Sequence, residues 1–235
     1  MTPELDAILF DLGGTLDGRG GWRDRFHRQF EARGLSDAFG FDARVRAFDY
    51  AEERSHAAPE MARAGLRDHV RMHVEWQFDA LGAAGSAACA GIVDGFVRDV
   101  EAACMESRAV LTSLANDGFR LGVVSNGCGN VATLCAEYGF TPLLSVVVDS
   151  HVFGCAKPDP AIFRHAIARI GAPASRSAFV GDSLDRDIEP AKALGLRTFW
   201  VSDGRRTPTR DVDVVLARVA DLPAHLQPQT VRGER

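Results

Sequence analysis

The 235-residue sequence predicts an α/β protein: a doubly wound parallel sheet with an α-helical domain inserted after its first strand. Three observations predict it. Beyond residue 106, short apolar runs alternate with segments of helical periodicity, each of which closes on a glycine. From about residue 22 to 105 the periodicity is helical and no segment reads as a strand. One isolated apolar run, at 7–10, stands ahead of that helical block.

The elements follow in order. AILF, at 7–10, is a run suited to a strand buried on both faces; it stops at Asp11 and turns at once through Gly13 and Gly14. WRDRFHRQFEARG, FDARVRAFDYAEERSHA and GLRDHVRMHVEWQFDALG place apolar residues at helical spacing among many charges. Gly34, Gly65, Gly82 and Pro59 mark the ends of these segments. The small-residue stretch LGAAGSAACAG, at 81–91, reads as a helix–helix turn, and the whole block as a bundle of roughly four helices. RLGVVS (120–125), LLSVVV (143–148), SAFVGD (177–182) and LRTFWV (196–201) read as strands. ESRAVLTSLANDG, GNVATLCAEYG, DPAIFRHAIARIG and DIEPAKALG lie between them as helices. VDVVL (212–216) completes the sheet, a short helix covers 217–226, and the tail PQTVRGER reads as disordered. The resulting division is a Rossmann-like core of residues 1–16 and 106–235 and a helical domain of residues 17–105.

Composition narrows the function. A net charge of -5 argues against a nucleic-acid surface, which needs concentrated positive charge. No apolar run approaches the roughly 18 residues of a membrane span. MTPELDAILF lacks the basic start and long apolar stretch of a secretion signal. Five cysteines without a Cys-x-x-Cys pair do not suggest a disulfide framework, so the chain reads as cytoplasmic and reduced. Lys157 and Lys192 are the only lysines; every other basic residue among the 27 is arginine.

In doubly wound sheets ligands bind where strands end and helices begin. Those positions here carry Asp11, Ser125 in SNG, Lys157 in AKPDP, and Asp182 in GDSLDRD. A carboxylate, a hydroxyl, an ammonium and a second acidic cluster suit phosphoryl transfer, which needs positioning and charge neutralisation above all.

The order FDLGGTLD, VVSNG, AKPDPAIF and FVGDSLDRDIEPAKALG resembles the four motifs of the haloacid dehalogenase superfamily, and the helical block resembles its inserted cap domain. The likeness covers residues 5 to about 222. It implies a hydrolase in which Asp11 is the nucleophile and forms an aspartyl-phosphate. By the same likeness Ser125 holds a phosphoryl oxygen with the backbone amides near Asn126 and Gly127, and Thr15 steadies the first loop. Lys157 neutralises charge on Asp11 and on the transferring group. Asp11, Asp182, Asp187 and the carbonyl of Gly13 would hold Mg²⁺, a hard cation suited to oxygen ligands. The implied substrate is a small phosphorylated metabolite.

One position departs from the pattern. Phosphatases of the family usually carry aspartate two places after the nucleophile, where it protonates the leaving oxygen and later activates water; this chain has Gly13. Losing general acid–base help costs about 10²–10⁴ in rate. Dehalogenases of the family also lack that acid, but they lack the Gly-Asp start of the fourth motif as well. Phosphonatases use a cap lysine, and this cap contains none. Two readings stay open: a Mg²⁺-dependent phosphatase, slow or served by another proton source, and a non-hydrolysing relative that binds a phosphorylated ligand or partner. Asp17, the nearest acid, reads as a hinge or capping residue.

Smaller signals are weighed the same way. His69 and His73, with Glu75 nearby, have metal-ligand spacing but, without a third ligand, read as a surface or core pair; Cys128 and Cys155 adjoin two motifs, where a thiol would make an enzyme thiol-sensitive, but as small buried residues they need no such role. Arg19, Arg23, Arg25 and Arg28 read mainly as solvated charges, and Trp22, Trp76 and Phe78 as packing residues. Glu52, Arg54 and His56 are candidates for a cap helix facing the active site, but the sequence does not orient that helix. The sequence is silent on oligomeric state.

Overall fold

The computed structural model describes residues 4–202, 204 and 211–226. Its centre is one six-stranded parallel sheet: β1 (Ala7–Phe10), β2 (Arg120–Ser125), β3 (Val146–Asp149), β4 (Ser177–Gly181), β5 (Arg197–Val201) and β6 (Val214–Leu216). The order across the sheet is β3-β2-β1-β4-β5-β6. β1 is therefore central, and the chain winds outward from it in both directions. All four residues of β1 are buried, which explains the uninterrupted apolar run AILF. In register, Phe10 lies beside both Val123 and Val180, so the residues that follow these strands emerge along one edge.

The described strands match the expected runs to within a residue, except that two start later. β3 starts at Val146 because Thr141–Leu143 form a 3₁₀ turn around Pro142. β6 keeps only Val214–Leu216, and Val219–His225 is a 3₁₀ segment rather than an α-helix. The tail PQTVRGER lies outside the described residues.

Between β1 and β2 stand α1 (Trp22–Glu31), α2 (Phe41–Ala57), α3 (Leu66–Ala80) and α4 (Ala88–Asn116). Their shared interior is aromatic: Phe26, Phe30, Phe78 and Phe96 are fully buried, with the Phe26 and Phe96 rings 4.4 Å apart. Burying each such ring contributes about 1.5–3 kcal/mol. α4 spans 29 residues, about 44 Å, and position 105/106 lies within it. Its first half buries Ile92, Phe96 and Val100 in the helical bundle, and its second half buries Leu111 and Leu114 against the core. Both halves belong to one continuous apolar cluster. α5 (Val131–Glu137), α6 (Ser150–Phe153), α7 (Pro160–Ile170) and α8 (Glu189–Ala193) complete the layers flanking the sheet. Among the described residues no helix is long and apolar enough to cross a membrane.

Candidate active site

Asp11 follows the last residue of β1, and its N–H donates to the Val180 carbonyl at 2.9 Å. That bond prolongs the ladder by one residue and aims a carboxylate out of the buried sheet edge. The chain then coils tightly through Leu12–Leu16. Gly14 sits at φ 86°, in the left-handed region, and a Cβ there would stand 2.3 Å from Asp182 Oδ2. Glycine thus serves both the turn and the close approach of the fourth-motif carboxylate. The Gly14 N–H donates to Asp17 Oδ1 at 2.7 Å, and Thr15 Oγ1 lies 3.5 Å from Asp11 Oδ2.

Lys157 reaches the same point from the segment between α6 and α7. Its Nζ donates to Asp11 Oδ1 and to Asp187 Oδ1, both at 2.7 Å, and all three side chains are buried. Its main chain is held as well. Lys157 N–H donates to Asn126 Oδ1 at 2.8 Å, and Asn126 Nδ2 donates to the Lys157 carbonyl at 2.9 Å. The Asn126 side chain, expected only to frame an anion-binding loop, therefore clamps the lysine. Asp187 takes a second bond, from Ser183 N–H to its Oδ2 at 3.0 Å. Gly181 lets Asp187 approach, since a Cβ at 181 would fall 2.5 Å from that of Asp187. The Asp182 carbonyl accepts from Trp200 Nε1 at 2.9 Å, anchoring the loop to β5.

Asp11, Asp182 and Asp187 each offer an oxygen within 4.8 Å of the others. Three carboxylates against one ammonium leave two negative charges in a confined space. Burial, partly offset by Lys157 and reinforced by Asp187, pushes Asp11 up to about 6. Burial and then the charges of Asp11 and Asp187 push Asp182 up to about 8. Burial works against the Lys157 charge, but Asp11 and Asp187 outweigh it and hold the ammonium above its usual range. Hard oxygen donors, crowded and short of positive charge, fit a divalent cation such as Mg²⁺.

Ser125 closes β2, paired in register with Asp149. Gly127 has no room for a Cβ, which would meet Val131 Cγ2 at 2.3 Å and Asp149 Oδ2 at 2.8 Å. Asp149 accepts from Val131 N–H at 3.1 Å and His151 N–H at 2.9 Å, so it ties the ends of β2 and β3 together. The only sequence signal for Asp149 is that the run VVVD, like AILFD, stops on an acid.

Position 13 is open. Gly13 has φ -75° and ψ 116°, and a Cβ there would lie 4.0 Å from Cδ1 and Nε1 of Trp22. Trp22 is thus more than a packing residue: its ring walls the place where an acid would stand. It is tethered by Nε1 donation to Asp17 Oδ2 at 2.7 Å. Asp17 has no oxygen to spare as a substitute acid, because it also bonds Gly14 and faces Arg25 Nη2 at 3.6 Å. Arg25 is buried and donates to the Asp17 and Gly18 carbonyls, which corrects its expected placement among solvated charges. Its burial between α1 and α4 is neutralised by Asp17.

The helical bundle meets the core at the loop after Ser125. Asn130 Nδ2 lies 3.0 Å from the Ala64 carbonyl and from Nδ1 of His69. His69 and His73 are buried, and burial keeps His69 neutral by holding it down to about 3. Neither belongs to a compact ligand cluster among the described residues.

A family model described as haloacid dehalogenase-like hydrolase matches residues 5–195. A zebrafish (Danio rerio) haloacid dehalogenase-like hydrolase domain-containing protein 3 is 34% identical over 131 residues, covering 53% of each chain. A glyceraldehyde 3-phosphate phosphatase of Methanocaldococcus jannaschii is 32% identical over 102 residues, covering 43% of this chain and 45% of that one. The chain thus spans about half the length of the curated relatives it matches. A solved dehalogenase structure superposes with a TM-score of 0.66 at 18% identity, over 98% of this chain and 100% of that one, and so shares the fold. The matched stretch, residues 5–195, includes the positions of Asp11, Ser125, Lys157, Asp182 and Asp187, and this chain belongs to the haloacid dehalogenase-like hydrolases.

Proposed function

We propose that the protein is a Mg²⁺-dependent phosphatase that hydrolyses a small phosphorylated metabolite through an aspartyl-phosphate on Asp11. One observation carries the reading: a strand-end carboxylate held by Lys157, with Asp182 and Asp187 completing an acidic triad at the central strand of the sheet. The similarity to a glyceraldehyde 3-phosphate phosphatase supports it. Dehalogenase chemistry is compatible with the fold, but the family's dehalogenases lack the Gly-Asp start of the fourth motif that Gly181 and Asp182 supply here.

The chain's residues divide the work. An Asp11 oxygen attacks phosphorus as the bond to the leaving oxygen breaks. Lys157 holds Asp11 in line and offsets charge on the transferring group. Ser125 and the amides of Asn126 and Gly127 receive the phosphoryl oxygens. Mg²⁺, held by Asp11, Asp182, Asp187 and the Gly13 carbonyl, would supply charge neutralisation. Water then attacks phosphorus, releasing phosphate and restoring the Asp11 carboxylate. With Gly13 in place of an acid, the leaving oxygen takes its proton from substrate or water. Substrates whose leaving groups depart readily, such as acyl phosphates, are therefore favoured.

In this reading residues 17–105 act as a cap on the core of 1–16 and 106–235, closing over the site to exclude water. The five cysteines are all free, which fits a reducing, cytoplasmic setting. The test is Mg²⁺-dependent phosphate release from acetyl phosphate and p-nitrophenyl phosphate by wild type and Asp11→Asn. Release that disappears in Asp11→Asn supports the reading. Its absence from folded wild type with both substrates favours the phospho-ligand-binding alternative.

A further inference from the structure

The seam between the helical bundle and the core contains a second group of reactive side chains, apart from the acidic triad. Cys128 sits three residues after Ser125, and its Sγ lies 3.8 Å from Nδ1 of His56 on α2. The opposite nitrogen of the same ring, Nε2, lies 3.5 Å from Glu52 Oε1. The second Glu52 oxygen faces Nε2 of the fully buried His73 at 3.4 Å. Carboxylate, imidazole and thiol thus stand in a row across two elements. They do not converge on one point as metal ligands would.

We infer that Cys128 is a thiol-modification site, activated by His56 and Glu52, that takes up a half of a small-molecule disulfide. The step balances without a further oxidant. The Cys128 thiolate attacks one sulfur of the reagent, a new S–S bond forms as the reagent's own breaks, and its other half leaves as a thiolate.

The assignment rests on the surroundings of all five cysteines. An adjacent imidazolium favours the thiolate, the form that reacts. Contact with Cys128 and Glu52 pushes His56 up to about 10, so its ring is charged at neutral pH. Burial works against the Glu52 charge, but His56 and His73 hold its carboxyl below the usual range. The other four thiols are held in the protonated form. Burial pushes Cys135 up to about 12 and raises Cys104 further. Cys89 and Cys155 are raised as well, chiefly by desolvation and by the nearby acids Glu75 and Asp159.

Exposure opposes this ordering. Cys128 is only 6% exposed and is covered by Met61, Ala64, Met72 and Trp76 of the bundle, whereas Cys89 and Cys155 are half-buried. The His56 side chain, 42% exposed, carries the seam out to solvent beside the sulfur. The 3.8 Å contact with the His56 ring is the feature that sets Cys128 apart, and about a tenfold advantage over the more exposed cysteines is expected from it.

The experiment treats the folded full chain with glutathione disulfide at pH 7 and follows each cysteine peptide by mass spectrometry. Labelling of Cys128 about tenfold faster than Cys89 and Cys155, and slowed about tenfold in His56→Gln, is the expected result. Cys104 and Cys135 report whether each protein is folded, since they label only on unfolding. Faster labelling of Cys155 or Cys89 than of Cys128 in wild type would overturn the proposal. So would an unchanged Cys128 rate in folded His56→Gln. If that variant does not fold, the wild-type ordering alone decides.

Discussion

Lys157 donates to Asp11 Oδ1 at 2.7 Å from a place 146 residues later in the chain. What keeps it there is main-chain anchoring as much as charge, because Asn126 bonds both the N–H and the carbonyl of Lys157. In Asn126→Ala those two groups lose their partners, at a cost of about 1–3 kcal/mol for each that stays buried. Turnover is expected to fall about 10–100-fold through kcat, consistent with a reacting group displaced by less than 1 Å. Steady-state kinetics beside a thermal melt would check that activity falls further than stability alone explains.

The acidic triad sets a pH dependence of stability. Asp182 and Asp11 are both raised in the folded protein, toward about 8 and about 6. An acid whose folded value is raised stabilises when protonated, so its contribution is present at low pH and is lost as pH climbs through the folded value. The cation-free protein is therefore expected to lose stability between about pH 4 and pH 8 at this site. Mg²⁺ replaces the protons, so the rise in Tm on adding it should be larger at pH 8 than at pH 5. Calorimetry at both values, with and without Mg²⁺, checks the sign.

Adjacent glycines should respond in opposite ways. Gly13 has an ordinary backbone conformation and clearance for a Cβ, so Gly13→Asp is expected to fold normally. It should raise turnover of simple alkyl phosphates about 10²–10⁴-fold while changing acyl phosphates little. Gly14→Ala forces a side chain into φ 86° and onto the Asp182 carboxylate, costing about 1–2 kcal/mol from the backbone alone. It should also weaken Mg²⁺ binding. Parallel melts and Mg²⁺ titrations of the two variants separate the effects.

Asp17 is the pin of the first loop. Asp17→Ala strands the buried Arg25 charge and frees Trp22 and the Gly14 amide. A loss of about 3–5 kcal/mol is expected, as for other broken buried pairs. Trp22→Phe keeps the ring and removes one hydrogen bond, costing about 1 kcal/mol. Denaturant titration of both variants gives the comparison.

The parts legible in the sequence were those written in local chemistry. AILF, SAFVG and RTFWV announce buried strands because strands covered on both faces select mainly apolar residues. Asp11, Lys157 and the GDSLDRD acids stood out because charges at the ends of such runs are costly without a task. The structure adds what depends on long-range partners. Arg25 reads like Arg23 and Arg28 along α1, and only packing against α4 buries it beside Asp17. The clamp of Asn126 on Lys157 joins residues 31 apart, and the contact of His56 with Cys128 joins residues 72 apart; no local pattern encodes either. The length of α4 was hidden for a different reason. Its small-residue start, at 88–91, reads as a turn until the bundle closes around it.

The central claim is that Asp11 carries the phosphoryl group in a site with no acid or base at position 13. Water attack on the aspartyl-phosphate then lacks its usual base and becomes the slow step. The direct measurement is rapid quench of wild type and Gly13→Asp mixed with acetyl phosphate and Mg²⁺, followed by mass analysis of the peptide containing Asp11. The account predicts a phosphorylated Asp11 peptide that accumulates in wild type, is depleted in Gly13→Asp and is absent from Asp11→Asn. Phosphate release by wild type with no phosphorylated Asp11 peptide at any time, or with the modification on another residue, would contradict it.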